Sequence, residues 1–107
     1  MGTNYYALVE QDNPIFPRKL VHIGKSSAGW KFIFDCSHGY YNDIGEFMSF
    51  IADKEILDEY DERVDKGNFL ARILEKQTQR SHVLSCPEHK TCYMDKYGFE
   101  FCRNEFI

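Results

Sequence analysis

The stretch from Leu20 to Cys36 most limits what this chain can fold into. Leu20 to Gly24 is apolar and β-branched. From Trp30 to Cys36 the pattern alternates, with Trp30, Phe32 and Phe34 facing one way and Lys31, Ile33 and Asp35 the other. A period of two belongs to a strand. Between the two runs lie Lys25, Ser26, Ser27 and Ala28, closed by Gly29. The segment therefore reads as a hairpin with its tip at Lys25 to Gly29, and an antiparallel sheet is required.

The rest of the sequence extends that sheet and covers it. Asn4 to Glu10 is a further strand, followed by a turn at Gln11 to Pro14. Pro14 and Pro17 exclude a central ladder there. Ser37-His38-Gly39 breaks the strand that began at Trp30. Asp43 with Glu46 forms a capping box, and Ile44, Phe47, Met48 and Ile51 fall at helical spacing, so a helix is expected from Asp43 to about Lys54. Ile56 to Val64 reads equally as helix or as a short hairpin turning at Asp61-Glu62. Asp65 is the N-cap of a second helix, with Phe69, Leu70, Ile73 and Leu74 as its stripe, running to about Gln79. Thr91 to Met94 and Phe99 to Cys102 flank a turn at Asp95 to Gly98 and form a closing hairpin. The expected fold is α+β: a mainly antiparallel sheet built from hairpins, with two helices packed on it, in a single domain of 107 residues.

Composition narrows the function classes. The net charge is −4, and the 13 basic residues are scattered without a run. Nucleic-acid affinity rests on clustered cations that displace counterions, so no nucleic acid is expected as a partner. No segment approaches the ~20 apolar residues that span a bilayer, and no membrane is expected. The first residues lack a basic segment followed by an apolar one, and Tyr6 stands where a myristoylation signal needs Ser or Thr. The cytoplasm is the expected compartment, where cysteines serve as thiols or metal ligands.

Three constellations carry candidate chemistry. Gly24-Lys25-Ser26 has the ending of a phosphate loop, but Lys19 stands where the first glycine must be, and a strand follows where a helix is needed. What survives is a hairpin tip whose His22, Lys25, Ser26 and Ser27 offer a ligand or anion site. Cys86, His89, Cys92 and Cys102 form C-x2-H-x2-C-x9-C, a possible tetrahedral zinc set whose last member returns on the closing hairpin. The alternatives are zinc at that set or four unligated thiols with no cofactor. Trp30, Tyr40 and Tyr41 are candidate partner contacts, the tyrosines because they follow a glycine in a loop. The acidic run from Asp58 to Asp65 reads as a solvated face, and no catalytic triad or dyad stands out, so a binding role is expected ahead of an enzyme, with a nucleotide- or phosphate-binding protein or enzyme at the hairpin tip as the alternative.

Taken together, Met1-Gly2-Thr3-Asn4-Tyr5-Tyr6 and His22-Ile23-Gly24-Lys25-Ser26-Ser27-Ala28-Gly29-Trp30 resemble a group of small uncharacterised bacteriophage and prophage proteins. Ile56-x-Asp58-Glu59-Tyr60, Val64-Asp65, Phe69, Asp95-x-x-Gly98-Phe99-Glu100-Phe101 and Glu105-Phe106 are similar to the later segments of that group. The resemblance implies that Ile56 to Val64 is a hairpin and that Asp65 caps the last helix. Many such proteins carry Cys-x-x-Cys where this chain has Asn13 to Pro17, which weakens a zinc role for His22. The resemblance further implies a phage-encoded accessory protein rather than a virion part. It would act in the host cytoplasm on a host protein, as an inhibitor of a host enzyme or defence system.

Overall fold

The computed structural model describes residues 2–10, 19–85 and 91–103. Among these, seven strands form one sheet: β1 (Gly2–Glu10), β2 (Lys19–Ser27), β3 (Ile33–Asp35), β4 (Glu55–Asp58), β5 (Arg63–Val64), β6 (Cys92–Met94) and β7 (Glu100–Cys102). Their order is β5-β4-β1-β2-β3-β7-β6. All neighbours are antiparallel except β3 and β7, where Phe34 pairs with Phe101 in parallel register. Three helices accompany the sheet: α1 (Ile44–Ile51), α2 (Lys66–Lys76) and the four-residue α3 (His82–Ser85). The fold is α+β, as the alternation and helical stripes demand, and α3 is an addition to the two helices expected.

One face of the sheet carries the core. Tyr5, Ala7, Val21, Ile23, Phe34 and Phe101 meet Phe47 and Ile51 of α1 and Phe69 and Ile73 of α2. Its centre is aromatic. The Phe34 ring lies 4.7 Å from Phe47 and 4.8 Å from Phe32, both edge-on, and stacks on Phe101 at 4.8 Å. Edge-to-face and offset pairs of this kind contribute beyond their buried area. Tyr41 joins this cluster and is fully buried.

The helix starts follow from their caps. Asp43 Oδ1 accepts from Glu46 N–H at 2.8 Å, and Glu46 Oε1 accepts from Asn42 N–H at 2.8 Å, one residue before the usual reciprocal position. Asp95 Oδ2 accepts from Ile44 N–H at 2.9 Å, which ties the turn between β6 and β7 to the start of α1. Asp65 Oδ2 accepts from Asn68 N–H at 2.9 Å at the start of α2. Asp65→Ala is expected to cost about 1 kcal/mol in a urea titration, because the N–H groups of the first turn lose their acceptor. An unchanged midpoint would show that α2 needs no cap.

Ile56 to Val64 is a hairpin. Asp58 Oδ1 accepts from Tyr60 N–H and Glu62 N–H, and Asp61 takes a positive φ of 64° at the tip. The reading of Trp30 to Cys36 as one alternating strand is corrected. Only Ile33–Asp35 is strand, and Phe32, Ile33, Phe34, Asp35 and Cys36 are all buried. With β2 and β7 on its two sides and covered faces above and below, this segment has no solvent face for alternation to express.

Candidate functional site

A β-bulge organises the His22 to Ser27 block. Tyr5 pairs with Gly24 but Tyr6 pairs with His22, so Ile23 is the extra residue. In a regular strand His22 and Lys25, three apart, would point to opposite faces. The bulge shifts the alternation by one. Gly24 faces the core, where a Cβ would lie 2.3 Å from the Phe32 ring. Lys25 instead lies opposite Asn4, and the Asn4 side chain reaches His22. His22, Lys25 and Ser27 therefore share the face turned away from α1 and α2, while Ser26 falls on the other.

That back face carries a polar row across five strands. His22 Nδ1–H donates to Asp35 Oδ2 at 2.7 Å, and His22 Nε2 is 2.9 Å from Asn4 Oδ1. Asp35 pairs with Cys102 in the β3–β7 ladder, and Cys102 pairs with Cys92 across β7 and β6. His22 and Asp35 are 7% and 1% exposed, so this pair is sealed from water. Burial pushes the Asp35 carboxyl up, but hydrogen bonds from His22 and Ser37 outweigh it and hold the pKa below the ordinary carboxylate value. One strand along, the buried Glu100 carboxylate accepts from the Ser81 hydroxyl and from Val83 N–H at 3.4 Å, which fastens α3 to the sheet.

The candidate aromatic contacts divide. Tyr41 is buried. Its hydroxyl donates to the Asp35 carbonyl and lies 3.2 Å from that of Ile23, and burial pushes its pKa well above the ordinary phenol value. Its place as a surface contact is corrected: the glycine before the pair turns the chain inward. Tyr40 is 47% exposed and stacks on Phe50 at 4.9 Å. Trp30 is half-buried, forms an isolated bridge with Arg80 and lies 5.0 Å beneath its guanidinium. Trp30 and Tyr40 stand beyond opposite ends of β3 and do not make one aromatic surface. His38, between them, donates Nε2–H to the His22 carbonyl at 3.0 Å, and burial holds its pKa below the usual imidazole value.

No family model, curated protein or solved structure matches this chain. Its site is therefore read from geometry alone.

Of the zinc set, Cys86 and His89 lie outside the described residues. Cys92 and Cys102 face each other on the back face, and burial with the neighbouring Cys102 pushes the Cys92 pKa up to about 12. Cys36 belongs to the core face, with Sγ 3.6 Å from the Tyr93 hydroxyl. Among the described residues no cluster of three potential ligands forms.

The helix side of the molecule offers a different kind of site. Ile44 and Met48 of α1, Leu70, Ile73 and Leu74 of α2, and Phe99 line a groove of about 220 Å³. Met48 and Leu74 at its rim are 40% and 62% exposed. A more polar groove of about 290 Å³ lies over Tyr5 and Phe69, with Asp58, Asn68 and Arg72 on its walls. Among the described residues no helix is long and apolar enough to cross a membrane.

Sequence reasoning missed Asp35 as the partner of His22 and Glu100 as the anchor of α3. The signal for Asp35 was present. An acid between Phe34 and Cys36, in a strand next to a histidine-bearing one, has to be paired when it is buried. The groove was also half legible, since Met48 and Leu74 were assigned to the stripes of their helices, but a stripe does not say which of its members stay uncovered.

Proposed function

We propose that this chain acts by binding another protein, with the groove between α1 and α2 as the contact site. The reading rests on that groove. It is lined by carbon side chains, open to solvent, and at about 220 Å³ smaller than the roughly 300–1,000 Å³ of small-molecule pockets. Such a groove suits one or two apolar side chains of a partner segment, the way amphipathic helices dock. The back-face groups support the same choice, because the buried His22 and Asp35 are already engaged with each other, with Asn4 and with Ser37. Together with the resemblance to phage proteins, the proposal is an accessory protein that binds a host protein and inhibits a host enzyme or defence system.

The test is a comparison, not a single capture. Tagged wild type is expected to retain a stoichiometric protein from host lysate, and Met48→Gln with Leu74→Gln to lose it. Met48 and Leu74 sit at the exposed rim, so the variant is expected to lose no more than about 1 kcal/mol of stability. A partner held equally by both forms would remove the groove from the reading.

The bulge favours a second reading. It sets Lys25 and Ser27 side by side on the back face, next to the sealed His22, where an ammonium and a hydroxyl offer a seat for a small anion. A thermal-shift series with phosphate and nucleotides decides. At 100 times the dissociation constant a ligand adds about 2.7 kcal/mol of stability. A shift abolished by Lys25→Gln supports this site, and flat melting curves across the series dismiss it.

A further inference from the structure

We propose that Cys92 and Cys102 form a reversible dithiol–disulfide pair, oxidised by a low-molecular-weight disulfide of the glutathione type. The backbone sets the geometry. Arg103 N–H donates to the Thr91 carbonyl at 2.9 Å and Asp95 N–H to the Phe99 carbonyl at 2.9 Å. In an antiparallel ladder hydrogen-bonded and non-hydrogen-bonded pairs alternate, so the pair between Thr91–Arg103 and Tyr93–Phe101, which is Cys92–Cys102, is non-hydrogen-bonded. Such pairs bring Cα atoms to about 4.5 Å, inside the roughly 4.4–6.8 Å that a disulfide requires, with both side chains on one face.

Cys36 lies on the other face of the sheet, and the described residues bring no third metal ligand to Cys92 and Cys102. Thr91 Oγ1 is 3.8 Å from Cys102 Sγ. Accessibility is graded: Cys92 is partly exposed and Cys102 is buried. That order suits a two-step exchange. Burial and the neighbouring Cys102 hold most of Cys92 as the thiol near neutral pH, so the exchange is slow there and quickens as pH rises; the thiolate that forms attacks a sulfur of the small disulfide, makes a mixed disulfide and expels one thiolate. The Cys102 thiolate then attacks Cys92 Sγ within the molecule and expels the second. The two cysteines lose two protons and two electrons, and the small disulfide takes them up as two thiols. The second step needs no solvent access at Cys102. The product would staple β6, an end strand of the sheet, to β7.

Incubation to equilibrium in glutathione redox buffers of graded ratio at about pH 9, where the thiolate fraction is larger, followed by acid quench, alkylation of remaining thiols and trypsin digestion, tests this. Cleavage after Lys90, Lys96 and Arg103 leaves Cys92 in residues 91–96 and Cys102 in residues 97–103. The expected product is these two peptides joined, with two of the four thiols lost and both recovered in excess reduced glutathione. In Cys102→Ser the reaction is expected to halt with glutathione attached at Cys92. Three results would each overturn the proposal: both cysteines alkylated at every ratio, a stable glutathione adduct on Cys92 of the wild type, or a stoichiometric zinc in the purified protein that blocks both thiols until chelator is added.

Discussion

Asp35→Ala is expected to lower the stability of the fold by about 2–5 kcal/mol, because two donors lose the buried carboxylate that accepts from them. Asp35 is 1% exposed, and its carboxylate receives His22 Nδ1–H and Ser37 N–H. Without it, the buried His22 ring loses its 2.7 Å contact to the carboxylate. A domain of this size holds about 5–15 kcal/mol in total, so the variant should melt near ambient temperature or express poorly. Chemical denaturation of a variant that still folds gives the number, and a loss under about 1 kcal/mol would mean that water or another group takes the place of the carboxylate. His22→Ala combined with Asp35→Ala should cost less than the sum of the two, since both single changes remove the same hydrogen bond. The pH dependence has a definite sign. The folded-state pKa of Asp35 lies below the ordinary value, so its contribution is fully present above the unfolded-state pKa of about 3.9 and is lost as pH falls through the folded value. The stability gap between wild type and Asp35→Asn should accordingly close on acidification through the carboxylate range.

Gly24→Ala should cost about 1–3 kcal/mol through overpacking. The added carbon would lie 2.3 Å from Phe32 Cε1 and 2.6 Å from the Ile33 carbonyl oxygen. Neither yields easily. Phe32 is 1% exposed, packed against Phe34 at 4.8 Å and Phe69 at 5.6 Å, and Ile33 is held in the β2–β3 ladder. Gly29 in the same motif is kept for another reason. A Cβ there meets nothing within 4 Å, but φ is 81°, so Gly29→Ala is expected to cost about 1–2 kcal/mol through backbone conformation alone. The two mechanisms separate experimentally. Phe32→Leu should relieve part of the Gly24→Ala penalty and none of the Gly29→Ala penalty. Wild-type stability in Gly24→Ala would show that Phe32 has room to move.

These two glycines show how far the sequence could be read. Features written in neighbouring residues were legible: the caps at Asp43 and Asp65, the helical stripes, the turn at Gly98 and the closing hairpin. Helix or hairpin for Ile56 to Val64 was not settled by propensity, because the deciding contacts are the Asp58 turn bonds and pairing with β1. The bulge at Ile23 was invisible, since it depends on register against β1 and not on any local signal. The burial of Tyr41 and Asp35 was missed for the same reason. Each is enclosed by strands and helices distant in the chain, and an aromatic in a loop or an acid in a strand looks solvated until those neighbours are placed.

The parallel junction of β3 and β7 has a consequence for how the protein is made. Phe34 meets Phe101 only after both long helices and the β4–β5 hairpin, which lie between them in the chain, have been made. Such distant pairings close slowly, since loop entropy must be overcome before the contact stabilises anything. During synthesis β2 and β3 can pair and α1 can cover one side, while β3 keeps a bare outer edge until the closing hairpin leaves the ribosome. A buried, apolar strand with an unpaired edge is a template for association with other chains. Chain termination before Cys92 should therefore give aggregation rather than a shorter stable protein, which makes the β6–β7 hairpin the step on which the yield of the fold depends.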